Sequence, residues 1–285
     1  MKYSMSNMSI VNISLPGYNA GKYLRKSVES IHKQTNTSSE LFIIDDGSTD
    51  GRIDFLIHVT DGRIYLMKRN HSYIATLNYG FSISCGKCIA RMDFDNKMFP
   101  ARSGEQVTVF EADKDIMIYV SYMKRMGGEN VYDSGLRGTI GLFANILLLS
   151  NLIVYLIVII RMDYLRTRQL NYQLEYIYAE GHKLWAEVAC LGEVFYIISK
   201  SLLEYYISEV QVSCVHNLQQ CETAGRIRNE TLNFLIKNCL KRCVAHIEKL
   251  YNTYMLLNKD NLLDDDYIFY GFYQFFSRIL ADDEY

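Results

Sequence analysis

Short apolar runs alternate with single amphipathic stretches along the first hundred residues. SIVNISL at 9–15 reads as a strand, and Pro16-Gly17-Tyr18-Asn19 is expected to end it in a turn, because proline cannot donate to a ladder. Tyr23, Leu24, Val28 and Ile31 then recur at near-helical spacing. LFII at 41–44 predicts a second strand, followed by a short helix or turn at 52–59, a third strand at 63–67 and an amphipathic helix at 74–83. CIARM at 88–92 is a fourth apolar strand. Strands separated by single helices are the pattern of a parallel α/β sheet with right-handed crossovers.

Two of these strands end on acids, Asp45-Asp46 and Asp93-Phe94-Asp95. The first cluster has two readings. Asp45 can begin a turn while Asp46 or Ser48 caps the next helix. Alternatively, the acids line the carboxyl rim of an open α/β sheet, where ligands bind. The second cluster precedes no clear helix start, so capping explains it poorly.

The uncharged stretch IGLFANILLLSNLIVYLIVII at 140–160 is long enough for a membrane-spanning helix. Asn145, Ser150 and Asn151 interrupt it, and the β-branched run from Ile153 suits a buried strand instead. Further on, a helix is expected from Arg226 to Tyr251, with Leu232, Leu235, Ile236, Cys239, Leu240, Val244 and Ile247 on one side. Arg228, Lys237, Lys241, Arg242 and Lys249 on its other side form a solvated face or a surface for anionic headgroups. The tail of mixed aromatics and acids reads as a docking or capping helix.

Composition narrows the function classes. With 49% hydrophobic residues in 285, the chain can bury one large core or two modest ones, and a net charge of −2 supplies no basic field for nucleic acid. Seven irregularly spaced cysteines argue against a disulfide framework. Cys85 and Cys88 form a CxxC without a second pair or histidines at zinc spacing, and read as ordinary thiols before metal or redox chemistry. The N-terminus carries no unbroken apolar stretch of the secretory kind, so a cytoplasmic location is expected.

The segments ISLPGYNAGKYLRKSVESIHKQT, ELFIIDDGSTDG, IATLNYGFSISCGKCIARMDFDN and YIYAEGHKLWAEVACLGEVFYI, in this order, resemble bacterial family-2 glycosyltransferases of the GT-A fold. The resemblance runs over about residues 9 to 235. It implies a Rossmann-like nucleotide-binding sheet with helices on both faces, spanning 1–215 as the catalytic domain, and a helical C-terminal extension over 216–285. It also implies an inverting transferase that takes sugar from a nucleotide-sugar, UDP-linked by preference, with Mn²⁺ or Mg²⁺, and passes it to a saccharide or lipid-linked acceptor. Such enzymes build surface polysaccharide in the cytoplasm, with peripheral contact at the inner membrane face.

The site residues follow from the same resemblance. Pro16, Tyr18 and Asn19 would form a loop beside the base, Asp46 would clamp base or ribose, and Asp93 and Asp95 would form the DxD element for nucleotide and cation. Arg102 would position. Glu180 would be the general base, with His182 the second candidate and Trp185 either core or acceptor pocket. The chain departs from the family in three places: Gly181 replaces the Asp of the Glu-Asp base pair, Asn151-Leu152 and Tyr155-Leu156 replace two prolines' motifs, and Ser208 stands where relatives carry a His. Those departures keep open a catalytically impaired sugar-nucleotide-binding subunit. A structural protein anchored through 140–160 is a third reading, although the resemblance puts a buried strand there.

Overall fold

The structure, a computed structural model, describes residues 10–19, 23–68, 72–126, 131–132, 134–141, 147–148, 153, 157–206 and 212–239. The alternating runs fold as β1 (Val11–Gly17), α1 (Leu24–His32), β2 (Ser39–Asp45), β3 (Ile64–Lys68), α2 (Tyr73–Ile83) and β4 (Cys88–Arg91). A single 3₁₀ turn at Asp54–His58 precedes β3. β1 to β4 are parallel neighbours in the order β3-β2-β1-β4. Ile13, Leu15, Ile43 and Ile44 are fully buried, as expected for strands covered on both faces.

The remaining elements are β5 (Lys97–Met98), α3 (Arg102–Ala112), β6 (Ile118–Arg125), β7 (Val131–Tyr132), β8 (Gly138–Ile140), β9 (Val158–Arg161), α4 (Met162–Thr167), α5 (Glu180–Cys190), β10 (Phe195–Tyr205), α6 (Val212–Val215) and α7 (Asn217–Cys239). The first four strands are parallel as their sequence predicts, and the sheet becomes mixed beyond them. β9 runs antiparallel between β4 and β6, and β10 continues beyond β6 in parallel.

β1 does not stop at Leu15. Pro16 pairs with Ile44 and Gly17 with Asp45, whereas β4 pairs with β1 only as far as Ser14. Beyond that point β1 has one neighbour, so the missing donor of Pro16 is tolerated as at a sheet edge.

The uncharged 140–160 stretch ends in β9, whose residues from Val158 to Ile160 are buried between two strands. Burial on both faces therefore accounts for the apolar run at its end. Residues 142–146, 149–152 and 154–156 lie outside the described residues, as do Ser208 and everything from 240 on, including the tail. Among the described residues no helix is long and apolar enough to cross a membrane. The helix expected from Arg226 begins earlier, at Asn217, and buries Ile227, Leu232 and Ile236.

A methyl group at Gly17 would lie 2.3 Å from the Phe94 ring, so the residue is glycine for close approach. Gly17→Ala is expected to cost about 1–3 kcal/mol through overpacking, measured by urea unfolding. Unchanged stability would show that Phe94 moves aside freely.

Candidate active site

Parallel strands deliver their carboxyl ends to one edge. There, Asp45 is 2% exposed and its Oδ1 accepts from the Ser48 amide at 2.9 Å, so of the two acids it is the turn former. Asp46 follows on the rim, half-buried, with its amide donating to the Gly17 carbonyl at 2.9 Å. The loop after β1 is tied to the loop after β2. The Asn19 amide donates to Ser48 Oγ at 2.8 Å, and the Thr49 amide donates to Asn19 Oδ1 at 2.9 Å. Asn19 has φ 47°, a left-handed conformation that asparagine tolerates. Tyr18 projects from this double loop 60% exposed, while Pro16 sits below it inside β1.

The second acid cluster is held by a polar stripe on α1 that continues to Gln34 just past its end. The Ser27 hydroxyl lies 2.6 Å from the Phe94 carbonyl and 2.5 Å from that of Asn96. Ser30 Oγ accepts from the Met98 amide at 3.0 Å, and Gln34 donates to the Phe99 carbonyl at 2.9 Å and accepts from the Ser103 amide at 2.9 Å. These groups fix the Asp93-Phe94-Asp95 turn against the end of β1. Asp95's carboxyl is pushed up to about 7, first by burial and then by the neighbouring Asp93 charge.

Arg91, the last residue of β4, joins this turn to α5. Its guanidinium donates to Asp93 Oδ1 at 3.2 Å and stands 3.8 Å from Glu180 Oε1, with Arg91 5% and Glu180 3% exposed. It also bonds the Tyr73 hydroxyl and lies over the Tyr73 and Tyr172 rings at 5.4 and 5.9 Å. Burial pushes the Glu180 carboxyl upward, and the Arg91 charge opposes the rise. Glu180 Oε2 has no hydrogen-bond partner among the described residues. A buried carboxylate of this kind can accept a proton.

The other expected site residues are placed differently. Arg102 is fully buried, donating to the Arg91 carbonyl at 3.2 Å and to Gln106 Oε1 at 3.1 Å, so it braces the end of β4. Burial pushes its guanidinium down to about 9. His182 is 3% exposed; burial, then the Arg228 charge, push it down to about 4, which leaves it neutral and weakly basic near pH 7. Trp185 is 1% exposed within the hydrophobic core, the first of its two expected locations. Cys88 is buried against the Ile10 carbonyl and Cys85 is exposed.

Asp93 and Asp95 suit a hard cation by chemistry: both offer oxygen donors, and their mutual repulsion is what a dication relieves. Among the described residues no group of three or more His, Cys, Asp or Glu is arranged for a metal. Diphosphate and water would complete such a shell.

Sequence reasoning missed Arg91, Ser27, Ser30 and Gln34. Arg91 was signalled by a charge inside the apolar run CIARM, two residues before Asp93. The stripe was signalled by polar residues spaced three and four apart among Leu24, Val28 and Ile31.

Comparison with known proteins gives a consistent answer. The family model described as Glycosyl transferase family 2 matches residues 13–174. A protein of Haemophilus influenzae named "Uncharacterized glycosyltransferase" is 29% identical, over 90% of this chain and 88% of its own. S. aureus TarS in complex with UDP superposes with a TM-score of 0.62 at 16% identity, covering 89% of this chain and 72% of that one. The mannosyltransferase PcManGT from Pyrobaculum calidifontis, in complex with GDP-Man and Mn²⁺, gives 0.58 at 13% identity, covering 96% and 86%.

Two outcomes follow from the charges. Arg91→Met leaves Glu180 buried without its cation and is expected to cost about 3 kcal/mol in urea unfolding at pH 7.5. The folded state holds the Asp95 proton to about pH 7, whereas an aspartate in the unfolded chain ionises near its ordinary 3.8. Between those values the native state binds the extra proton, so this group's contribution to stability falls as pH rises, by at most about tenfold in the unfolding constant per pH unit. Asp95→Asn should flatten that slope when unfolding is followed across the window; an unchanged slope would contradict it.

Proposed function

Since the chain belongs to glycosyl transferase family 2, we propose that it moves a sugar from a UDP-sugar to a saccharide or lipid-linked acceptor, inverting the anomeric centre, in cell-surface polysaccharide synthesis. The observation that carries this reading is Arg91, which brings the acid turn of the donor side and Glu180 into one charge network.

In this reading Tyr18, Asn19 and Asp46 bind base and ribose on the double loop supported by Pro16. Asp93 faces the nucleotide and Asp95 holds Mn²⁺ or Mg²⁺, which when bound would offset charge on the departing diphosphate. Glu180 Oε2 takes the proton from the acceptor hydroxyl as its oxygen bonds to the anomeric carbon and the bond to diphosphate breaks. A carboxyl raised by burial is better matched to that task than an exposed one. His182, neutral and weakly basic, is the poorer candidate. The UDP bound to TarS and the GDP-Man and Mn²⁺ bound to PcManGT support the donor and cation classes. A lipid-linked acceptor would bring the chain against the inner membrane face.

Gly181 favours a second reading, a sugar-nucleotide-binding subunit that has lost turnover.

Purified protein incubated with Mn²⁺, a panel of UDP-sugars and saccharide acceptors is expected to release UDP. Glu180→Gln should lower kcat by about 10²- to 10⁴-fold while UDP affinity by calorimetry stays within about twofold. Metal-dependent UDP binding with no turnover, restored by Gly181→Asp, would establish the second reading instead.

A further inference from the structure

Glu180 opens α5, so its position is set by the loop before it, and that loop is in a costly conformation. Tyr178 has φ 68°, in the left-handed region that bulky side chains rarely adopt. Such a residue persists only where its surroundings over-determine it. Here the surroundings come from His216 and α7, beyond the span that the family model matches.

The Tyr178 ring stacks on His216 with centroids 4.2 Å apart and planes 9° from parallel. The Tyr178 carbonyl accepts from Gln220 Nε2 at 2.7 Å. Arg226 donates to the Glu175 carbonyl and covers the Tyr176 ring at 4.2 Å. The Tyr176 hydroxyl lies 2.8 Å from both carboxylate oxygens of Glu230, and the same carboxylate accepts from Lys183 Nζ of α5 at 2.8 Å. Contacts from one helical segment thus grip both sides of Glu180 in sequence. The apolar packing of Ile227, Leu232 and Ile236 is separate from them.

We propose that residues 216–230 are a positioning strap for the proposed base: His216, Gln220, Arg226 and Glu230 hold the 175–179 loop, and thereby Glu180, in its working place. The proposal rests on the reading of Glu180 as base. It moves these residues from a C-terminal extension into the working unit of the site. None of them touches the reacting atoms; they act through Tyr178, Tyr176 and Lys183.

The test removes the two contacts to Tyr178 and leaves the apolar packing intact. In the full-length His216→Ala/Gln220→Ala variant, amide hydrogen exchange over 177–180 is expected to quicken about tenfold or more, with global unfolding little changed. UDP release from the active donor should lose about 10- to 100-fold in kcat, because small misplacements of a reacting group are costly, while donor KM and UDP affinity stay within about twofold. His216→Phe, which keeps a flat ring for stacking, should retain kcat within about threefold. Unchanged exchange at 177–180, or unchanged kcat, or a parallel loss of UDP affinity, overturns the strap. If the double variant does not fold, the single variants Gln220→Ala and His216→Ala decide the matter by the same exchange reading. If the wild type turns over no donor, the base reading fails on its own, and the exchange measurement still decides whether the loop is strapped.

Discussion

One buried cation governs the arrangement. Arg91 lies among Asp93, Glu180, Tyr73 and Tyr172 with 5% of its surface exposed. A buried charge persists only if it is paired and hydrogen-bonded, so β4, α2, the acid turn and α5 must all arrive at the same place for the fold to be stable. Its own carbonyl is taken by Arg102 from α3, which extends the constraint to a fifth element. What seats the arginine also brings the acid turn and Glu180 together.

The charge balance around it has a clear sign. Asp93 and Glu180 share the Arg91 guanidinium, and burial, followed by the Asp93 charge, raises Asp95, while burial outweighs Arg91 at Glu180. A carboxyl cluster of this kind is suited to a hard cation. The inner face of α5 carries none of this work. His182 stays neutral there and Trp185 fills the core.

Much of the architecture was legible in the sequence because strands buried on both faces must be apolar and crossover helices must be amphipathic. The order from β1 to β4 followed from those runs, and so did the acids at strand ends. Pro16 misled because local chemistry alone says that it stops a strand, whereas the absence of a second neighbour beyond Ser14 lets the strand continue. β9 was legible in the β-branched end of 140–160, although a strand covered on both faces also reads like a membrane segment. Arg91, Ser27 and Gln34 were illegible in their roles for another reason: their partners lie in distant segments, and a polar residue on a buried helical face looks like a solvated one until its acceptor is known. The positive φ of Tyr178 had no sequence signal at all, since its described partners His216 and Gln220 lie some forty residues further along the chain.

The serine stripe of α1 also bears on when the site comes into being. Ser27 reaches carbonyls 67 and 69 residues away along the chain. Closing loops of that length is slow relative to forming helices and hairpins. The acid turn thus acquires its shape only once α1 has met the chain beyond β4, and a half-folded chain presents its carboxylates scattered.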